Sequence, residues 1–564
     1  MINLTKSAKE EITALLMGAL KAAQDEGLVG AIEGIGVSLE KPKEKSHGDY
    51  SCTFCMQAAK QSKMAPRKLA EILTSHMKTE GTCVGKLEIA GPGFINFYLS
   101  DDFRRDGLKA IFDDPDSFGR TDYGKGKRVM VEFVSANPTG PMHMGNARGG
   151  ALGDCLAGAL SWAGYDVTRE FYVNDAGNQI EKFYRSLKAR YTQLILGEDA
   201  CEFPEDGYHG EDIKDRAREF YEIHGDKYLN VPDDEQKEAL VGYALKKNVE
   251  ALKRDLEKYR ITYDNWFYES TLHESGEVTR TIEMLREKGL TYKSEGAEWF
   301  ALTKLGLEKD EVLVRANGIP TYFAADIAYH RNKLETRGFD WAIDVWGTDH
   351  HGHVARMKHS LDAVGLSGDR LDVVLIQLVR LVRGGEVIRM SKRTGKAITL
   401  TDLLEETSVD AARFFFNMRQ NSSHLDFDLD LAIEESSQNP VFYVQYAYAR
   451  ICSMMSVLES DGYAPLSPDR VNFSLLSKEE ELDLINHLNA LPEEINDVAR
   501  TLDPSRLTRY IIELATLFHR FYNAHRVKVE DEALLNARLK LVEAVRIAMT
   551  NVLGILKITA PEKM

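Results

Sequence analysis

In "PMHMGN", residues 141–146, a histidine and an asparagine stand three positions apart with a glycine between them: His143, Gly145 and Asn146. On a helix that spacing gives one shared face, so an imidazole and an amide can address a single ligand. The preceding "RVMVEFVS" reads as a buried strand, and the following "ARGGALGDCLAGALSWAG" reads as a helix whose small residues allow close packing. A strand that turns into a helix presents unpaired N–H groups at the helix N-terminus, where anions are favoured. Gly140 and Gly145 let the backbone approach a ligand closely. The chemistry that suits these residues is polyphosphate binding at the carboxyl edge of an α/β sheet. The same pattern also fits a packing turn with a helix-capping histidine. A second segment, "GGEVIRMSKRTGK", gathers Arg389, Lys392, Arg393 and Lys396 on a glycine-flanked stretch that could meet phosphates or form a solvated basic turn.

The elements that must position these groups follow from periodicity. Around the junction, the runs "VMVEFV", "DVTREFYV", "EVLVRA", "WAIDVWG" and "LDVVLIQLV" alternate with helical stretches, the rhythm of a parallel α/β sheet. Charge-rich helical sequence from about 183 to 285 interrupts that sheet as an insertion. Ahead of the sheet, residues 1–118 read as a small α+β domain. Its first helix carries Ile12, Leu16, Leu20 and Ala23 at helical spacing, with Ser7 and Glu10 shaped like a capping box. In "KLEIAGPGFINFYLS" two strand-like runs flank a Gly-Pro-Gly turn. Residues 119–430 hold the sheet domain, and 431–564 form an all-helical bundle in which Asp503 and Pro504 mark a helix start.

Composition sets the outer bounds. A chain of 564 residues exceeds one hydrophobic core and needs several domains. The sequence has no run near the ~20 apolar residues of a membrane span, and no secretory signal opens it, so no membrane association and a cytoplasmic location are expected. Six scattered cysteines offer no disulfide framework. The net charge of −17 argues against non-specific grasping of nucleic acid but leaves room for a local basic groove. His350, His351 and His353 lie close together, yet no further ligand at zinc spacing accompanies them, and "CTFC" has no second pair; no structural metal is expected.

"PMHMGN" resembles the HIGH signature of class I aminoacyl-tRNA synthetases, and "RMSKRTGK" resembles their KMSKS loop. With "VEFVSANPTGPMHMGNARGGALGD" and "FYVNDAGNQI" added, the chain is similar to the arginyl-tRNA synthetase family over nearly its whole length. The resemblance implies a Rossmann-like catalytic domain, activation of arginine by ATP with Mg²⁺ held largely by phosphates and water, and transfer to tRNA(Arg) by a monomer. It makes His143, Asn146 and Lys392 the charge-stabilising groups, with Pro138, Gly140, Gly145, Met390 and Ser391 completing an ATP site. Asn146 stands where the family has its last histidine, and Arg389 and Arg393 replace a lysine and a serine. An arginine pocket needs carboxylates set for a planar fork of donors. Tyr322 and Asp326 share a helical face and by resemblance address the guanidinium, with Glu132 nearby, while Ser135, Asn137 and His350 hold the amino and carboxylate end. The resemblance assigns the bundle to the anticodon and the first domain to the tRNA elbow. Tyr443, Tyr446 and Arg450 are the stacking candidates, although a tyrosine stripe of this kind also builds cores. Two other readings fit the same residues: a nucleotidyltransferase that adenylates a small acid without RNA, and a synthetase-like RNA-binding protein without turnover.

Overall fold

The computed structural model describes residues 4–42, 44–388, 398–463 and 465–564. Its centre is a sheet of five parallel strands: β1 (Arg128–Glu132), β2 (Asp166–Val173), β3 (Asn265–Tyr268), β4 (Trp341–Gly347) and β5 (Leu371–Ile376). They lie in the order β5-β4-β1-β2-β3. Val129, Met130 and Val131 of β1 are wholly buried, as a central strand covered on both faces must be. The chain direction across the sheet reverses between β1 and β4, and the crevice at their carboxyl ends is where such a sheet binds ligands.

Helix α1 (Gly145–Trp162) leaves this crevice and runs back under the sheet, buried without interruption from Ala147 to Ala157. Its small residues are a steric requirement: a Cβ on Gly153 would lie 2.3 Å from the Phe133 ring just beyond β1. Helix α2 (Tyr322–Arg331) precedes β4 and continues into a wider π-helical turn over Asn332–Thr336. Such turns re-aim side chains.

Three sequence expectations change. The run "EVLVRA" forms a strand, Glu311–Val314, but it belongs to a separate antiparallel sheet with Ala297–Phe300 and Thr291–Ser294. Short connections join those strands as neighbours, so they cannot reach the parallel sheet. The segment expected as a helical insertion does contain long helices, Asn178–Leu196, Glu211–His224 and Asp233–Lys258, but it also supplies edge strand β3. Ser7 does not cap the first helix, which already runs from Leu4 to Asp25.

The N-terminal unit pairs that helix and two others with a four-stranded antiparallel sheet around its own core of Ile12, Leu16, Leu73, Ile95 and Phe97. The C-terminal bundle contains α3 (Pro440–Ser460), α4 (Ser505–Ala524) and α5 (Glu532–Leu556), with two shorter helices, Glu479–Asn489 and Leu491–Thr501, between α3 and α4. Asp503 accepts from the Ser505 main-chain N–H at 3.1 Å, so the capping acceptor stands ahead of Pro504 as its sequence position implies. Bundle and sheet domain share one continuous core. At its middle Arg413, fully buried, donates to Asp154 of α1 at 2.5 Å, to the Tyr259 carbonyl at 3.0 Å and to the Leu556 carbonyl at the end of α5 at 2.8 Å. No helix among the described residues is long and apolar enough to cross a membrane.

Candidate active site

Beyond Glu132 the chain makes a kink that ordinary side chains avoid: Val134 and Ser135 adopt φ of 70° and 43°. A left-handed β-branched residue costs of order 1–3 kcal/mol, and such strain collects at functional sites. The kink returns Ser135 toward the sheet, where its hydroxyl donates to Glu132 Oε1 at 2.8 Å and accepts from the Tyr172 N–H at 3.1 Å. It also sends the next residues away. Pro138 is buried against the helical insertion, its carbonyl bonded by Asn248 at 2.9 Å, and a Cβ on Gly140 would face Asp212 at 3.4 Å. Asn137 is exposed. None of the three lines the cavity described next; the left-handed turn ahead of them carries them toward the helical insertion.

The chain comes back at Met142. His143 bridges to Thr399, the Met144 N–H donates to the Ile398 carbonyl at 3.0 Å, and the Leu400 N–H donates to the Met142 carbonyl at 3.0 Å. The turn at His143 is therefore stitched to the residues that follow the basic motif. Lys392, Met390, Ser391, Arg389 and Arg393 themselves lie outside the described residues. His143 is exposed, its Nδ1 accepting from the Gly145 N–H at 3.0 Å, and α1 starts at that glycine.

His143, Gly145 and Asn146 line a cavity of about 520 Å³ at the carboxyl ends of β1, β4 and β5, together with Glu132, Ser135, Asp326 and His350. Trp346 forms part of its wall, its ring 6.0 Å from that of His350 and 5.5 Å from that of His353. His353 Nε2 lies 3.1 Å from Asp326 Oδ2, so one member of the histidine group orients a carboxylate. Among the described residues no group of three or more His, Cys, Asp or Glu side chains is placed to hold a metal ion.

Tyr322 is not in this cavity. It lines a neighbouring one of about 560 Å³ with Glu269, its hydroxyl facing the Gln179 N–H at 3.3 Å. Gly177, at φ 77°, leaves it room: a Cβ there would lie 3.1 Å from the Tyr322 hydroxyl. Asp326 and Tyr322, one helical turn apart, thus face two neighbouring hollows. Tyr172 lies at their boundary, its hydroxyl pushed upward in pKa by burial and then by Glu269 and Asp326.

Several residues on these walls gave little sequence signal. Arg148 is 1% exposed and lines the main cavity, yet among the described residues its guanidinium bonds only main-chain carbonyls: Gln377 and Ser423 at 2.9 Å and Gln420 at 2.8 Å. Its Nε has no hydrogen-bond partner among them, and burial pushes its pKa down to about 10. Glu269, 3% exposed, follows directly on β3, the strand hidden inside the presumed insertion. Glu132 has both carboxylate oxygens engaged, Oε1 by Ser135 and Oε2 by the buried ammonium of Lys333 at 2.6 Å. Glu132 is thus a cavity-wall residue near Asp326 whose carboxylate is paired from behind by a buried ammonium.

In the bundle, Tyr446 is exposed and stacks against Phe442 at 6.3 Å, while the Arg450 guanidinium lies 5.0 Å from the Tyr446 ring and 4.7 Å from that of Tyr522. Tyr443 is half-buried, its ring 5.0 Å from His519, and Tyr448 belongs to the core.

Sequence comparison divides the chain among three family profiles: an arginyl-tRNA synthetase N-terminal domain over residues 10–99, a class I (R) tRNA synthetase catalytic domain over 112–436, and a DALR anticodon-binding domain over 444–564. The arginine–tRNA ligase of Caldanaerobacter subterraneus subsp. tengcongensis is 59% identical over the full length of both chains, and that of Ruminiclostridium cellulolyticum is 55% identical, also over both full lengths. In fold, the chain is similar to the Thermus thermophilus arginyl-tRNA synthetase (TM-score 0.73, 21% identity, 98% of this chain and 99% of that one). It is likewise similar to the Plasmodium falciparum enzyme (TM-score 0.73, 17% identity, 98% and 99%).

Proposed function

The chain belongs to the arginyl-tRNA synthetase family, and from that premise we propose how its cavity divides between ATP and arginine. The reaction is that of an arginine–tRNA ligase. A carboxylate oxygen of arginine attacks the α-phosphorus of ATP, forming one P–O bond as the bond to pyrophosphate breaks. A terminal ribose hydroxyl of tRNA then attacks the acyl carbon, losing its proton as AMP departs. Neither step needs a protein nucleophile, so the chain contributes alignment and donors aimed at developing charge.

The phosphates lie along the start of α1, against His143, Gly145 and Asn146, where the helix offers main-chain N–H groups and a favourable dipole. Lys392, with Met390 and Ser391, is by the family signature the second group for those phosphates. The observation that carries this reading is the main-chain pairing of Met142–Met144 with Ile398–Leu400, which ties the residues that follow the basic motif to the histidine turn. Mg²⁺ arrives with ATP as part of the substrate, bound by phosphate oxygens and water.

Arginine lies toward Asp326 and Glu269, carboxylates on either side of Tyr172, with Tyr322 closing the guanidinium end and Ser135 and His350 near the reacting end. Two acids suit a planar fork better than a point charge. Tyr446 and Arg450, backed by Tyr443 and joined by Tyr522, give the bundle an exposed cation–aromatic stack for unpaired tRNA bases. Residues 1–118 are the elbow-binding domain, 119–430 the catalytic domain and 431–564 the anticodon domain. The reading needs no second copy of the chain, and it places the enzyme in the cytoplasm.

Aminoacylation assays with ATP, Mg²⁺, tRNA and each of the twenty amino acids test the reading. Arginine alone should be charged; charging of another amino acid, or arginine-dependent ATP–pyrophosphate exchange that proceeds equally well without RNA, contradicts it.

A further inference from the structure

We infer that Lys333 is a positioning residue for arginine, acting from behind the cavity wall through Glu132; the inference rests on the pocket reading above. Lys333 has no exposed surface. Its Nζ donates to Glu132 Oε2 at 2.6 Å and to Asp344 Oδ1 at 2.8 Å, and lies 4.1 Å from the centre of the Tyr329 ring. These contacts come from β1, β4 and α2, three of the elements whose residues line the cavity, and Lys333 reaches all of them from the π-helical turn after α2. Glu132 and Tyr329 also line the cavity, so the ammonium touches the reverse side of the surface a substrate meets.

The cluster is closed by His330. Its Nδ1 faces the Asp326 carbonyl at 2.8 Å and its Nε2 faces Asp344 Oδ2 at 2.6 Å. Both partners are acceptors, so a ring nitrogen that bears a proton donates to one of them. The cluster holds the main chain at Asp326 and sets one buried ammonium against the carboxylates of Glu132 and Asp344. Asp326 and Glu269 are cavity-wall carboxylates outside that cluster.

Removing the ammonium leaves two buried acids without their shared cation. Asp344 keeps its histidine, and Glu132 becomes the group that must take up a proton, because an unpaired buried carboxylate is costly. Protonated, it no longer holds Ser135 as an acceptor-only carboxylate does. The other titratable or charged groups facing Glu132 and Lys333 are Asp344 on β4, His330 and Tyr329 on α2, Tyr172 on β2, Tyr263 and, also on β2, Glu170, which is itself paired with Arg337.

Steady-state aminoacylation by the full chain from pH 6.5 to 8.5 tests this, with arginine KM, ATP KM and kcat measured separately. For Lys333→Met we expect arginine KM to rise at least ~10-fold near pH 7 with ATP KM within about twofold, and to vary with pH at least ~5-fold more than in the parent. The charge-balanced double variant Glu132→Gln/Lys333→Met should fold even where Lys333→Met does not. It should raise arginine KM at least ~5-fold without the added pH dependence. Arginine KM within twofold of the parent in either variant, or equal rises for arginine and ATP, overturns the proposal. Asp326→Asn is measured beside them: if it raises arginine KM and the Lys333 variants do not, only the positioning role fails, whereas an unchanged KM in Asp326→Asn removes the pocket reading itself.

Discussion

Two buried cations sit against the same cavity and are treated oppositely. Lys333 has two carboxylates within 2.8 Å. Among the described residues Arg148 has only carbonyl oxygens and an unbonded Nε. Around Lys333, burial alone would push the ammonium down in pKa, but Asp344, Glu132 and Glu170 outweigh it and leave it above the ordinary lysine range. Around Arg148 nothing offsets burial. The difference teaches where the surplus charge of the site lies. The wall behind the arginine subsite sets its buried cation against two carboxylates, with Asp326 and Glu269 as further acids on the cavity walls. The wall beside α1 carries an uncompensated positive charge next to the proposed phosphate subsite. An anion placed there supplies what the folded chain lacks, and in a low-dielectric wall that attraction exceeds its value in water.

The comparison breaks first at Arg148. Arg148→Met should lower kcat/KM for ATP by roughly 10²-fold, the scale of a lost charge-stabilising donor, while arginine KM moves little. An equal loss for both substrates would make the residue a structural strut. Asp326→Asn is the mirror experiment. Losing a charged hydrogen-bond acceptor is worth about 1.5–3 kcal/mol, or roughly 10- to 150-fold in arginine KM, with ATP KM unchanged. A variant in which both constants shift together would mean that the two subsites are not electrostatically distinct. The smallest effect is on stability in acid. Burial raises the Asp344 carboxyl, but Lys333 and His330 outweigh it and hold its pKa at about 2. A carboxyl depressed in the folded state stabilises the fold above its unfolded pKa of about 4 and loses that contribution as pH falls toward 2. Denaturant midpoints should therefore fall over that window, and less steeply in Asp344→Asn. Parallel curves would show that the paired cluster contributes nothing to stability.

What was legible in the sequence was local. The strand, turn and helix around His143 announce themselves because apolar run, breakers and small residues are contiguous, and four of the five parallel strands could be read because each is a run of buried β-formers. Strand β3 escaped notice because it is only four half-buried residues set between helices. The site residues divide the same way. His143, Gly145 and Asn146 fall together on a single turn, whereas Asn137, Pro138 and Gly140 looked equally suitable until the left-handed pair Val134 and Ser135 redirected them. Lys333 carries no local signal, since its partner Glu132 is 201 residues away in sequence. Glu132 in turn read as an available acid. No short-range pattern reveals that a carboxylate is already spoken for.

The buried guanidinium of Arg413 has a consequence for how the molecule can be cut. It ties Asp154, in the helix that leaves the signature turn, to the Leu556 carbonyl at the close of the last helix, eight residues from the chain's end. The family profiles leave a seam between residues 436 and 444, but the folded chain has no matching line of weakness. A fragment ending at that seam would bare the underside of α1 and leave the buried Arg413 guanidinium without its acceptor at the Leu556 carbonyl. The half that makes the adenylate and the half that inspects the tRNA are thus not modules bolted together; each is the other's missing interior.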